Sequence, residues 1–163
     1  MEQKCIYKYQ SAESLIREVM AYCRESVFPD AGYGYKKKIQ LIGIYSPLGR
    51  CGKTLFALTA GQIWGESRNV LYLNMEDYSG WKDFSEEDTS QNLSALFYHL
   101  RQGKIFPPLT GLVHSWGNLD YIPPVSSFED LRNISYREWT DLFTHLEKES
   151  SYQLLVLDIG NGI

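Results

Sequence analysis

Residues 38–64, KIQLIGIYSPLGRCGKTLFALTAGQIW, set an apolar run, a glycine-containing turn and an apolar helical stretch in immediate succession. Ile39, Leu41, Ile42, Ile44 and Tyr45 form a nearly continuous apolar segment with β-branched residues, which predicts a buried strand covered on both faces. From Thr54 onward Leu55, Phe56, Leu58, Ile63 and Trp64, with Ala57 and Ala60 among them, predict a helix packed closely on a sheet. A strand that passes so directly into a helix commits the chain to β–α winding, in which strands pair in parallel.

Gly49-Arg50-Cys51-Gly52-Lys53-Thr54 lies between that strand and helix. Backbone N–H groups at a helix N-terminus form an anion cradle, and glycine lets the backbone approach phosphate oxygens without a side chain in the way. Gly52 and Gly49 suit that role, Lys53 would place its ammonium on the β- and γ-phosphates, and the Thr54 hydroxyl would be a ligand to Mg²⁺. The strict G-x-x-x-x-G-K-[ST] pattern fails at its first position, where Pro47 stands. The alternative is an ordinary β–α turn with an exposed Lys-Thr pair. The preceding buried strand and following apolar helix favour the phosphate loop.

The 163 residues are 44% hydrophobic and 22% charged, as in a globular chain large enough to bury a core. The net charge of −4 and the absence of a basic stripe beyond Lys36-Lys37-Lys38 give no electrostatic footprint for nucleic acid. No apolar run approaches a bilayer span, and MEQKCIYKYQ carries no signal-peptide core, so a cytoplasmic location is expected. Cys5, Cys23 and Cys51 are odd in number and far apart, which argues against a disulfide framework and a zinc site.

In chain order, residues 4–9 read as a strand, and Ser11 caps a helix whose apolar face is Ala12, Leu15, Ile16, Val19, Met20 and Cys23. This unit, residues 1–26, resembles the closing β–α piece of a receiver domain. Residues 27–37, with Pro29, Gly32 and Gly34, read as a linker. Val70–Leu73 is a second buried strand ending in Asn74-Met75-Glu76-Asp77, and the polar run Ser79–Asn92 reads as a solvated loop. Leu93, Leu96, Phe97 and Leu100 return to helical spacing, and Leu119–Ile122 is a short strand stopped by Pro123-Pro124. Ser127 or Asp130 begins a helical region, and Ser135 caps a helix with Trp139, Leu142, Phe143 and Leu146 on its buried face. His99, His114 and His145 share no ligand spacing. Gln153–Leu157 is the last strand, followed by Asp158-Ile159-Gly160.

A parallel sheet places ligands at the carboxyl ends of its strands, and three such ends carry chemistry: residues 49–54, 74–77 and 158–160. An aspartate ending an apolar strand downstream of a phosphate loop suits a Mg²⁺ partner, which is the role expected of Asp158, with Gly160 free to meet the γ-phosphate.

With these stretches placed, residues 38–163 resemble the ParA/MinD family of P-loop ATPases, most closely its TadZ/CpaE-like pilus-localisation branch. The matching stretches are SPLGRCGKT, VLYLNMED, LDYIPPV and LLVLDIGNG. The resemblance implies a three-layer αβα fold around a parallel sheet, ATP and Mg²⁺ as cofactors, an ATP-dependent homodimer, and protein partners in a pilus or secretion apparatus at a membrane or cell pole. It implies cofactor binding by Gly49, Arg50, Cys51, Gly52, Lys53, Thr54 and Gly160, metal binding by Thr54 and Asp158, and catalytic roles for Lys53, Glu76 and Asp158. The sequence departs from the family at Leu48, where a signature lysine is usual and for which Arg50 offers a substitute cation, and at Asn74 and Glu76, where aspartates are common. A nucleotide-responsive scaffold without turnover and a small P-loop kinase are the alternatives. The family fold continues beyond Ile163, so the chain reads as the N-terminal part of such a domain, and residues 40–45 are expected to present an unpaired edge.

Overall fold

Apolar strands joined through helices pair mainly in parallel and carry helices on the faces of the sheet, and the described residues within 38–160 are arranged in this way. The computed structural model describes residues 7, 9–11, 14–19, 38–76, 91–102 and 109–160. The chain divides into two units, residues 1–36 and 37–163. In the first, residues 14–19 form helix α1. Ser11 caps it as expected, its Oγ accepting the Ser14 N–H at 3.2 Å and its carbonyl the Leu15 N–H at 3.0 Å. Of the strand expected over 4–9, residues 4–6 and 8 lie outside the described residues, and Tyr7 and Tyr9 are not in a strand. The linker expected at 27–37 lies wholly outside them.

The second unit runs β1 (Gln40–Tyr45), α2 (Lys53–Gly65), β2 (Val70–Met75), α3 (Leu93–Arg101), a 3-10 turn (Leu109–Gly111), β3 (His114–Trp116), β4 (Leu119–Ile122), α4 (Phe128–Arg132), α5 (Tyr136–Glu149) and β5 (Leu154–Ile159). The five strands are ordered β1-β5-β2-β4-β3. Only β3 is antiparallel, paired to β4. Leu71, Leu73, Met75, Leu155 and Leu157 meet Leu93, Leu96 and Phe97 of α3, Leu131 of α4, and Leu142 and Leu146 of α5. Full burial of each such leucine contributes about 1.5–3 kcal/mol. On the opposite face α2 buries Ala57, Leu58, Ala60 and Trp64 against the sheet. Gly61 allows the close approach, since a Cβ there would stand 2.9 Å from Leu119 Cδ1. This is the three-layer αβα arrangement expected.

The helix starts follow local chemistry. Asn92 caps α3, its side chain accepting the Ala95 N–H at 3.1 Å. Ser127 caps α4. Ser135 caps α5 in a full capping box, with Glu138 Oε2 accepting the Ser135 N–H at 2.7 Å and Ser135 Oγ the Glu138 N–H at 3.3 Å.

Several sequence expectations change. β1 is not covered on both faces: no residue of Gln40–Tyr45 is fully buried, and Leu41 and Tyr45 are 50% and 60% exposed. The reason is position, because β5 inserts between β1 and β2 and leaves β1 paired on one side only among the described residues. β2 continues through Asn74 to Met75, and β5 through Asp158 to Ile159. Asn74 and Asp158 are therefore strand residues rather than residues of the following turns. The short strand β3 was not anticipated, since three residues, His114-Ser115-Trp116, carry no readable alternation.

Candidate functional site

The loop after β1 leaves the sheet at Ser46, whose Oγ accepts the Leu48 N–H at 3.2 Å. It enters α2 through two left-handed residues, Arg50 at φ 57° and Gly52 at φ 81°. Glycine adopts that conformation freely, whereas for Arg50 it stores strain on the order of 1–3 kcal/mol, as functional loops often do. Gly52 is the helix N-cap, without a side-chain cap and without an acidic residue in the first turn. The N–H groups of Gly49, Arg50, Gly52, Lys53 and Thr54 meet no acceptor among the described residues, and the first helical bond is Phe56 N–H on Gly52 O at 2.9 Å. A Cβ built on Gly49 or Gly52 meets nothing within 4 Å, so the space over these amides is open. Unpaired amides, the positive end of the helix dipole and open space together form a cradle for an anion.

Lys53, in the first turn of α2, reaches the carboxyl ends of β2 and β5. Its Nζ donates to Glu76 Oε1, to Asp158 Oδ1 at 2.7 Å and to the Ile159 carbonyl at 2.7 Å. The lysine side chain is 7% exposed and that of Asp158 is fully buried. Burial by itself pulls the Lys53 pKa down, but hydrogen bonds and charge from Asp158 and Glu76 outweigh it, so the ammonium is held above its ordinary value. The expected catalytic residues Lys53, Glu76 and Asp158 thus lie together.

A polar chain behind them escaped the sequence reading. Tyr72 and Asn74 alternate onto the same face of β2, and Asn74 is the register partner of Asp158. Tyr72 Oη donates to Asp158 Oδ2 at 3.0 Å and accepts from Asn74 Nδ2 at 3.1 Å, while Asn74 Oδ1 accepts the Glu76 N–H at 2.9 Å. Tyr72 and Asn74 are 0% and 1% exposed. Burial first, then the charge and hydrogen bond of Asp158, push the Tyr72 phenol well above its ordinary range, so it remains a donor. Asn74 is buried and acts as an interior hydrogen-bond partner. The available signal was a tyrosine and an asparagine two residues apart in an otherwise apolar strand.

Other expectations resolve individually. The Gly160 N–H donates to the Met75 carbonyl at 3.1 Å and is therefore engaged in the sheet rather than free for a phosphate. Thr54 is half-buried in the first turn of α2 and bonds neither Asp158 nor Glu76. Leu48 and Arg50 are exposed, Leu48 by 70%. Cys51 is a free, exposed thiol. Asp77 lies outside the described residues, as do Cys5 and Cys23. His114 stacks on Tyr121 with ring centroids 5.5 Å apart, away from the carboxylates. Among the described residues no cluster of His, Cys, Asp and Glu would cage a metal alone. Mg²⁺ at phosphate sites needs no such cage, because one or two protein oxygens suffice beside phosphate and water. Thr54 carries a hydroxyl and Asp158 a carboxylate, the oxygen types that such a site uses.

No protein-family model matches the sequence, and neither does any curated protein. Solved structures do match. A ParA family ATPase from Chlorobium tepidum TLS superposes with TM-score 0.62 at 21% identity, covering 77% of this chain and 52% of that one. A plasmid partition protein from Borrelia burgdorferi bound to AMPPNP gives 0.56 at 18%, covering 76% and 53%. The kinase domain of the Escherichia coli tyrosine kinase ETK gives 0.63 at 15%, covering 92% and 55%. At these identities the likeness is one of fold, that of ParA-type P-loop NTPases, and the chain spans about half the length of the solved chains it matches.

Proposed function

We propose that this chain binds MgATP on the loop 46–54 and acts as a slowly hydrolysing P-loop ATPase of the ParA/MinD superfamily. The observation that carries this reading is the uncapped N-terminus of α2 placed beside the buried Lys53–Asp158 pair. The amides of Gly49 to Lys53 would receive the phosphates, and Thr54 and Asp158 would hold the Mg²⁺. When bound, the metal supplies positive charge to the β- and γ-phosphate oxygens. Lys53 then exchanges a carboxylate for phosphate oxygen. Glu76, released from the lysine, is left to orient water. The TadZ/CpaE-like branch, with an ATP-dependent homodimer that positions a pilus or secretion apparatus, is the finer form of the proposal. In it residues 1–26 close a receiver-like domain and residues 27–37 link it to the ATPase domain. Among the described residues no helix is long and apolar enough to cross a membrane.

A second reading, nucleotide binding without turnover, is favoured by two specific features. Leu48 stands exposed where a signature lysine is usual, and Asn74 is buried as a structural amide where a carboxylate is common. Calorimetry and phosphate release separate the two. Lys53→Ala should weaken MgATP binding by about 2–3 kcal/mol, the range for losing a charge-assisted contact. Equal affinity in the variant and its parent would show that the loop is not the phosphate cradle, and tight binding without phosphate release would select the scaffold.

A further inference from the structure

We propose that Tyr72 is the positioning residue of the metal site: its buried hydroxyl fixes the Asp158 carboxylate in the orientation that meets the Mg²⁺ of a bound nucleotide. This role rests on the MgATP reading above. The two oxygens of Asp158 have different holders. Oδ1 accepts from Lys53 at 2.7 Å, and Oδ2 accepts from Tyr72 at 3.0 Å. The lysine is the group a phosphate competes for, since it stands at the start of α2 beside the open loop. The tyrosine lies within β2, fully buried. Once Lys53 turns to phosphate, Tyr72 is the described side chain still bonded to Asp158.

The direction of this hydrogen bond is set from the backbone. Asn74 Oδ1 is committed to the Glu76 N–H at 2.9 Å, so its amide presents Nδ2 to Tyr72 Oη at 3.1 Å. A hydroxyl that accepts there has its proton left for Asp158. A phenylalanine at this position would keep the ring but would leave Asp158 Oδ2 buried without this donor. The tyrosine is thus explained by the carboxylate, and through Asn74 the same chain also anchors the backbone of Glu76.

The test titrates a fluorescent ATP analogue into the parent chain and Tyr72→Phe, once with Mg²⁺ and once with EDTA. In the parent, Mg²⁺ should tighten binding. In Tyr72→Phe the Mg²⁺ concentration at half effect should rise by about 10–100-fold, as for other residues that orient a metal ligand, with affinity in EDTA unchanged. Equal losses in both buffers would make Tyr72 a structural residue only, and an unchanged Mg²⁺ dependence would also overturn the role. A parent that binds no analogue in either buffer overturns the nucleotide reading itself and this role with it. A measurement that does not require the variant to fold uses NMR of the parent. The Tyr72 hydroxyl proton should be protected from exchange and should shift when Mg²⁺ is added to the nucleotide-bound chain. A hydroxyl resonance that does not respond to Mg²⁺ counts against the proposal.

Discussion

Asn74→Asp introduces the residue type that the resemblance to ParA-like ATPases leads one to expect, and in this chain it should be costly. The new carboxylate loses the amide donor to Tyr72 Oη, worth about 1 kcal/mol net for a buried hydrogen bond. It also introduces a second buried charge beside Asp158. Asn74 and Asp158 contact the same Tyr72 hydroxyl at 3.1 and 3.0 Å, so the two carboxylates would lie no more than about 6 Å apart and repel by about 3 kcal/mol at an effective dielectric of about 20. Protonating the new carboxyl avoids the repulsion but costs about 1.4 kcal/mol for each pH unit above its ordinary value near 4. At pH 8 the ionised form is therefore the cheaper one, and the variant should be about 3–4 kcal/mol less stable than its parent. The folded-state pKa of the new carboxyl is raised, so the folded variant binds more protons than the unfolded chain above pH about 4. Its stability deficit should be small below that pH, grow as pH rises, and level off once the folded carboxyl has lost its proton. Urea denaturation of variant and parent across that range, read as the difference between them, cancels the other titrating groups. A deficit that does not change with pH, or a variant as stable as the parent at pH 8, would refute the Asn74–Tyr72–Asp158 chain. Asn74→Leu serves as a control whose deficit should not depend on pH.

Turnover separates the two cleft carboxylates: Asp158→Asn should reduce Mg²⁺-dependent nucleotide binding and hydrolysis together, while Glu76→Gln should spare binding and slow phosphate release, and a Glu76→Gln chain with parental turnover would remove Glu76 from the mechanism. At the start of α5, Arg101 first and Ser135 next hold the Glu138 carboxyl down from 4.5 to about 2, so its contribution to stability is present above pH 4.5 and is lost as pH falls toward 2. Melting curves of the parent and Glu138→Ala should converge over that interval, and a constant gap would assign the cap no ionic part. The exposed edge at β1, with Leu41 50% exposed, should promote self-association that rises with concentration in light scattering and falls in Leu41→Lys. A parent chain that is monomeric at every concentration would show that the edge is protected.

What could be read from the sequence was what is local in the chain. The turn from β1 into α2 is contiguous, so its glycines, Lys53 and Thr54 could be proposed as an anion-binding turn from the sequence alone. The capping box is equally local, because Ser135 and Glu138 stand three residues apart and the helix brings them together. Lys53, Glu76 and Asp158 could be grouped only through the rule that parallel strands align their carboxyl ends, although Lys53 and Asp158 are separated by 105 residues. That rule says which end of a strand a residue occupies, not which neighbour it bonds. The family resemblance already implied an unpaired edge at residues 40–45, and the tertiary structure alone decided how open that edge is, leaving Leu41 and Tyr45 50% and 60% exposed despite an apolar composition suited to a central strand. It also decided that Asn74 turns inward and that Tyr72, which reads as one more apolar strand residue, donates its proton to a carboxylate 86 positions away. Hydrophobic patterning records which side chains leave water; which buried polar atoms find each other depends on the register of strands far apart in the chain, and only the folded sheet fixes that.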